Sequence, residues 1–262
     1  ANAGTDQSIC SPANSVTMFA NSAIFPGVGT WTLVSGSGSI TSPNSPTSLI
    51  NNLGIGENIF QWSINNGACG SQTTTDLVSI FVFSQFSPSA HAGIDQDLCT
   101  PITSTTLDGS DPVFPSTGVW TLVSSAGSPS ITNPTNPNTP VTGLAIGPNV
   151  YEWTVINGPC ANGLTTDQVT ITIFDGGAAT PFAGNEQELC SPTSATFLGA
   201  DAAVFPGVGT WTLISGTGTP VSPNDEGTEI TGLSIGVNVF RWSVDYSTCG
   251  SPFDEVEIIV YD

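Results

Sequence analysis

Along this chain apolar and polar residues alternate over short stretches, and clusters of Gly, Pro, Asn and Ser interrupt every one. Successive side chains of a strand point to opposite faces, so Phe60, Trp62 and Ile64 fall on one side of the backbone and Gln61 and Ser63 on the other. Trp31 and Leu33 share a face in the same way, and the two faces are expected to meet in a core. In the first third of the chain this reading gives strands over 15–20, 29–35, 47–51, 58–65 and 76–83, with weaker ones at the start and around Ser39. Asn66-Gly67 follows the fourth strong strand, as Asn157-Gly158 does later, and Asn-Gly tolerates the positive φ of a tight turn. In the last third Asp245-Tyr246-Ser247-Thr248 stands there instead. No stretch has the 3.6-residue period of a helix, so the chain is expected to be all β.

The pattern repeats. Cys10, Cys99 and Cys190 lie 89 and 91 residues apart. From each, Phe-Pro follows at +15 (Phe25-Pro26, Phe114-Pro115, Phe205-Pro206) and Trp at +21 (Trp31, Trp120, Trp211). A second Trp comes at +52, +54 and +52 (Trp62, Trp153, Trp242), and a second Cys at +59, +61 and +59 (Cys69, Cys160, Cys249). The middle copy has gained two residues between its tryptophans, in the loop-like run around Asn133 to Pro137. Three units result, 1–85, 86–176 and 177–262, each the size of one small domain. About seven short strands per unit, with a Trp on a middle strand, fit an Ig-like sandwich of two sheets. Being periodic, all six Trp are assigned to the cores. The Phe of each Phe-Pro pair either fills a sandwich end or makes contact with a neighbouring unit.

Periodic cysteines imply disulfides and an oxidising compartment, hence export. Many pairings are open to six cysteines. Two per unit favour Cys10 with Cys69, Cys99 with Cys160 and Cys190 with Cys249, each tying a unit's first strand to the turn beyond its fourth strong strand. In the chain-entropy picture a loop of about 60 residues is worth on the order of 4 kcal/mol, comparable with the whole stability of a small domain.

The charge narrows the partners. Twenty-one Asp and Glu face a single basic side chain, Arg241, for a net charge of −20. Phosphate neutralisation needs several Lys or Arg, so nucleic acid is excluded, as is docking to an anionic membrane. No run of about 18 apolar residues could span a bilayer, and no basic-then-apolar leader opens the sequence. Charged residues make up 8% and hydrophobic ones 38% of the chain. A core is therefore supported, while 31 Ser and 34 Thr supply a hydroxyl-rich surface. The acids are unevenly spread, with 3, 7 and 11 in successive units.

Ala-Gly-x-Asp-Gln opens the first two copies (Ala3 to Gln7, Ala92 to Gln96), with Ala183-Gly184-Asn185-Glu186-Gln187 as a variant in the third. Then come Cys, Gly-x-Trp-x-Leu and Leu-x-Ile-Gly-x-Asn-x-Phe/Tyr-x-Trp (Leu53 to Trp62, Leu144 to Trp153, Leu233 to Trp242). Thr-Thr-Asp closes the set at 74–76 and 165–167, with Pro-Phe-Asp254 in the third copy. This order of motifs resembles the PKD-like Ig repeats of large Bacteroidetes surface proteins, among them gliding-motility adhesins and other cargo of the type IX secretion system. The resemblance implies tandem PKD-like sandwiches in an elongated array on the cell surface, with neighbouring repeats of a longer chain as immediate partners. Copy three's departures leave open whether its acids share a role with the others.

Catalysis has little to work with. His91 is the single histidine, and no His-Glu-x-x-His, Gly-x-Ser-x-Gly or phosphate loop is present. Without lysine there is no Schiff-base or Ser-Lys chemistry, and no Lys-Asn isopeptide brace, so bracing falls to the cysteines and sheets. No enzyme and no cofactor is expected. The local acid pairs Asp95 with Asp97, Asp108 with Asp111, Glu186 with Glu188 and Asp225 with Glu226 raise calcium as a ligand but match no loop motif, and solvated acids are the simpler reading. The expectation is an extracellular structural or adhesive stalk segment. Its alternatives are a self-associating filament or matrix subunit, and a module binding a surface glycan or protein ligand.

Overall fold

A computed structural model describes residues 1–67, 73–176 and 180–262. Among them twenty-one strands pair into six sheets, two per unit. Unit one contains β1 (Gln7–Cys10), β2 (Val16–Thr17), β3 (Val28–Ser35), β4 (Ser39–Ile40), β5 (Leu49–Asn51), β6 (Gly56–Asn65) and β7 (Thr74–Phe83). One sheet runs β1-β7-β6-β3 and the other β2-β5-β4. Unit two repeats this with β8 (Gln96–Cys99), β9 (Ser104–Thr106), β10 (Thr117–Ser124), β11 (Ser130–Ile131), β12 (Pro140–Thr142), β13 (Gly147–Ile156) and β14 (Leu164–Phe174). Unit three has β15 (Gln187–Cys190), β16 (Ala195–Phe197), β17 (Val208–Ser215), β18 (Thr219–Pro220), β19 (Glu229–Thr231), β20 (Gly236–Asp245) and β21 (Phe253–Tyr261). The chain is thus all β in three Ig-like units. The weak candidate strands at the start and at Ser39 are present, while the one expected over 15–20 shrinks to two residues.

The first strand of each unit pairs with the last one in parallel, whereas every other pairing is antiparallel. In unit one Cys10 lies opposite Phe83, and in units two and three Cys99 lies opposite Phe174 and Cys190 opposite Tyr261. This fixes which pole of the sandwich each cysteine occupies.

The cores are built around tryptophan pairs. Trp31 and Trp62 are direct cross-strand neighbours, their ring centroids 5.0 Å apart. Trp120 with Trp153 and Trp211 with Trp242 repeat the pair at 5.0 and 5.2 Å. All six are buried, and each indole N–H donates to a backbone carbonyl, as Trp62 does to Asn21 and Trp31 to Ser45. The glycine two residues before the first Trp is required by this packing, because a Cβ on Gly29, Gly118 or Gly209 would collide with the ring of Trp62, Trp153 or Trp242. Leu33 departs from expectation. It and its counterparts Leu122 and Leu213 are about 40% exposed. The register with the neighbouring strand shifts just beyond each of them, and the strands of the facing sheet are only two or three residues long, so β3 outruns its cover.

The repeated polar residues hold the units' loops. Asn58, Asn149 and Asn238 are buried, and each donates to three carbonyls, for Asn149 those of Ala145, Gly147 and Ile171. Asp76, Asp167 and Asp254 each accept the backbone N–H of the alanine that opens the unit, Ala3, Ala92 and Ala183. Copy three's altered sequence around Asp254 thus keeps the same job. Asp6 and Asp95 accept from the last strand at Ser79 and Thr170.

Candidate functional site

The chemistry of this chain is concentrated where one unit meets the next. Cys10 is bonded to Cys160, and Cys99 to Cys249, each pair 150 residues apart in sequence. The expected pairings within a unit are therefore wrong for Cys10, Cys99, Cys160 and Cys249. Cys69 lies outside the described residues, and Cys190 carries a free, exposed thiol. The reason is the parallel first strand. It sets Cys99 beside the end of β14, while Cys160 lies in the turn between Ile156 and Leu164, at the start of β14. An eleven-residue strand separates the two by roughly 30 Å, at about 3.3 Å per residue, whereas a disulfide needs Cα atoms within about 7 Å. The opposite poles of successive units come together instead, and the bonded Cα atoms are 5.1 and 5.6 Å apart. The elements joined are those the sequence indicates, first strand and fourth-strand turn, but they belong to neighbours.

Aromatic contacts reinforce both junctions. The Phe of the Phe-Pro pair in units two and three reaches back to the preceding unit: a Cβ added to Gly147 would stand 2.8 Å from the Phe205 ring, and one on Gly56 3.9 Å from Phe114. In the opposite direction Phe83 packs on Gly158, where a Cβ would come within 2.6 Å of its ring, and Phe174 joins the core cluster of unit three with Tyr246. Gly158 needs positive φ as well, at 55°, and Ser247 holds the matching position at 53°.

The polar parts of the junctions differ. Between units one and two, Asn157 is 1% exposed; it donates to the Ser84 carbonyl and to Asn162 Oδ1, and accepts from the Ser116 hydroxyl at 2.6 Å. Between units two and three, the Ser247 hydroxyl donates to Asp97 Oδ2 at 2.6 Å and Thr248 to the Asp97 carbonyl, both at the surface. Asp97, one of the acids considered for calcium, is here a junction acceptor.

His91 serves a turn. Its Nδ1 accepts the N–H of Gly93 at 2.8 Å, as Asn2 Oδ1 accepts that of Gly4 at the matching place in unit one. The role recurs although the residue type does not. A cleft of about 310 Å³ is lined by His91, Gly93 and Asp108, and one of about 270 Å³ by Asp111, Ser116 and Thr135. In the second, the Ser116 hydroxyl is committed to Asn157. Among the described residues the buried Tyr151 hydroxyl lacks a partner, and burial pushes its pKa up to about 12. Units one and three have Phe60 and Phe240 there.

No family model matches this chain. Over 173 residues, 59% of its length, it is 30% identical to the dyslexia-associated protein KIAA0319-like protein of mouse (Mus musculus), of which it spans 16%. The solution structure of the PKD domain from KIAA 1837 protein is 27% identical, with 36% of this chain and 92% of that one covered at a TM-score of 0.31. The crystal structure of Dpr2 Ig1-Ig2 in complex with DIP-Theta Ig1-Ig3 aligns over 99% of this chain and 98% of that one, with 10% identity and a TM-score of 0.56. Among the described residues no helix is long and apolar enough to cross a membrane. The fold is that of Ig-like sandwiches in tandem.

Proposed function

We propose that this chain is a non-enzymatic, extracellular structural and adhesive segment whose units span 1–85, 86–176 and 177–262. The pair of disulfides that cross the unit boundaries carries this reading. Each unit closes its own core around a Trp pair, so the covalent bonds serve to fix units to one another, which is what a stalk or spacer requires. Bonds of this kind persist in oxidising, extracellular compartments. The motif order supports a place on the surface of a Bacteroidetes-type cell, in an adhesin exported by type IX secretion in the manner of gliding-motility adhesins. The complex of Ig domains among the solved structures supports protein partners, including other units of the same kind. A glycan ligand draws less support, because the six Trp are all committed to cores.

Small-angle scattering on the purified chain tests this. Three units of about 30 to 40 Å each should give a monomeric rod of roughly 100 Å under non-reducing conditions. Reduction should broaden its distance distribution while the near-ultraviolet signal of the Trp pairs persists. A compact particle would overturn the reading. A melting temperature unmoved by excess calcium or EDTA is expected, and a shift of several degrees would reinstate calcium as a structural ligand.

A further inference from the structure

Unit two differs from its neighbours at one edge of its larger sheet. β3, β10 and β17 are edge strands, and the N–H of the first Trp in each bonds outward, to the carbonyl of Pro43, Pro134 or Pro223. The glycine two residues earlier turns its carbonyl to the same side, since alternate residues of a strand direct their backbone groups alike. In units one and three an amide of the chain itself occupies that carbonyl. Asn44 Nδ2 donates to the Gly29 carbonyl at 2.8 Å and to the Thr30 hydroxyl at 3.0 Å, and Asn224 Nδ2 does the same to Gly209 and Thr210 at the same distances. Unit two has Thr135 after its proline and Val119 after its glycine, so the amide and its second acceptor are both gone. Among the described residues no side chain takes the asparagine's place on the Gly118 carbonyl, and a cleft of about 270 Å³ opens beside it. A second change falls at the same spot. The second indole N–H donates to the carbonyl of Asn21, Ser110 or Asp201, and the residue that follows is Ser22 in unit one, Ala202 in unit three and Asp111 in unit two, where it lines the cleft.

We propose that this cleft receives a lysine side chain of a partner protein, its ammonium standing where units one and three place an asparagine amide. The proposal deepens the reading of protein partners above and rests on it. The polar groups of the wall are the Gly118 carbonyl, the Asp111 carboxylate and the hydroxyls of Ser116, Thr117 and Thr135, of which Ser116 is committed to Asn157. The carbonyl and the carboxylate only accept, threonine hydroxyls can accept, and a lysine ammonium offers three donors and no acceptor. Pro112 and Pro137 give the same wall an apolar part, suited to the methylenes behind the ammonium. Charge favours a cation, because unit two loses a donor and gains a carboxylate here, on a chain of net charge −20. A second copy cannot supply it. This sequence has no lysine, and its one arginine, Arg241, is bonded to Glu255 at 2.6 Å and lies over the Phe253 ring. Calcium is a poorer match, since Asp111 is the one carboxylate among the lining residues and hard cations need clustered oxygens.

The test is a titration of the full chain followed by amide NMR, with Nα-acetyl-lysine methylamide as the probe and its norleucine and arginine analogues as controls. Expected are saturable shifts at Thr117, Gly118 and Thr135 with the lysine probe, and binding several-fold weaker with either control. Asp111→Asn should weaken binding by about tenfold. Val119→Thr combined with Thr135→Asn rebuilds the amide seat of units one and three, and should abolish binding while the amide spectrum stays dispersed, which shows that the variant folds. Shifts that are absent, equal with norleucine, stronger with arginine, spread over the acids of unit three or reproduced by calcium chloride alone overturn the proposal. Any of these beside a monomeric rod in scattering leaves the stalk reading intact and removes only this inference, whereas a compact particle that binds the probe at Gly118 removes the stalk and keeps the site.

Discussion

The two junctions share a skeleton and differ in everything else. Both have a disulfide closing 150 residues and a Phe-Pro phenylalanine reaching back to the preceding unit's glycine. The first adds a buried, neutral network centred on Asn157. The second adds surface bonds to an acid, Asp97, and lets Phe174 enter the next unit's core. The difference teaches that the periodic residues set the geometry of the contact, while the residues around them decide how strongly and under which solvent conditions it holds.

The largest test removes the shared element. Cys10→Ser and Cys99→Ser each open a loop of 150 residues, worth up to about 5 kcal/mol in the chain-entropy picture. Calorimetry should show comparable losses, and any excess loss at the second junction would measure what the buried network contributes to the first. Next, Asn157→Ala leaves the Ser84 carbonyl and the Ser116 hydroxyl without their amide partner and should destabilise by about 2 kcal/mol in chemical denaturation. Gly158→Ala sets a Cβ at positive φ against the Phe83 ring and should lower stability by about 1 to 2 kcal/mol, whereas Ser247→Gly at the matching position should lose only its bond to Asp97.

Tyr151→Phe separates unit from junction. It removes a buried hydroxyl that has no partner among the described residues, and should stabilise unit two by about 1 kcal/mol with no change at either boundary. Its pH signature has a definite sign. The phenol in the folded chain ionises near 12 rather than at its ordinary value of 10, so the unfolded chain loses its proton first. The contribution is fully present below about 10 and is lost as pH rises toward 12, and Tyr151→Phe should remove this alkaline decline. The smallest effect belongs to Asp97→Asn, an exposed acceptor, at under about 1 kcal/mol, measured as a loss confined to the second junction.

Much of the fold was legible in the sequence because one signal was written three times. Period-two alternation located the long strands, the repeated Trp marked the core pairs, and Asn-Gly marked the turn. Leu33 was misread because alternation assigns a face but cannot say how far the opposite sheet extends. The disulfides were legible as to elements and wrong as to partners. A cysteine 59 residues downstream in the same unit and one 150 residues downstream in the next are equally open to a reading by spacing. What decides between them is the direction in which a four-residue first strand pairs, a long-range choice that no local pattern encodes. His91 and Asp254 teach the converse, since each keeps a role that its altered local sequence hides.

The two disulfides also overlap, since the loop from Cys10 to Cys160 contains Cys99 and the loop from Cys99 to Cys249 contains Cys160. When the chain is pulled from its ends until every strand has unravelled, the shortest covalent route crosses the first bond, runs backwards through 160 to 99, and crosses the second. Only about a third of the residues lie on that taut path, at about 3.4 Å of contour each. The middle unit is then loaded in reverse, and the slack of the other two never reaches the load. Under tension the segment is a short tether with a hard stop.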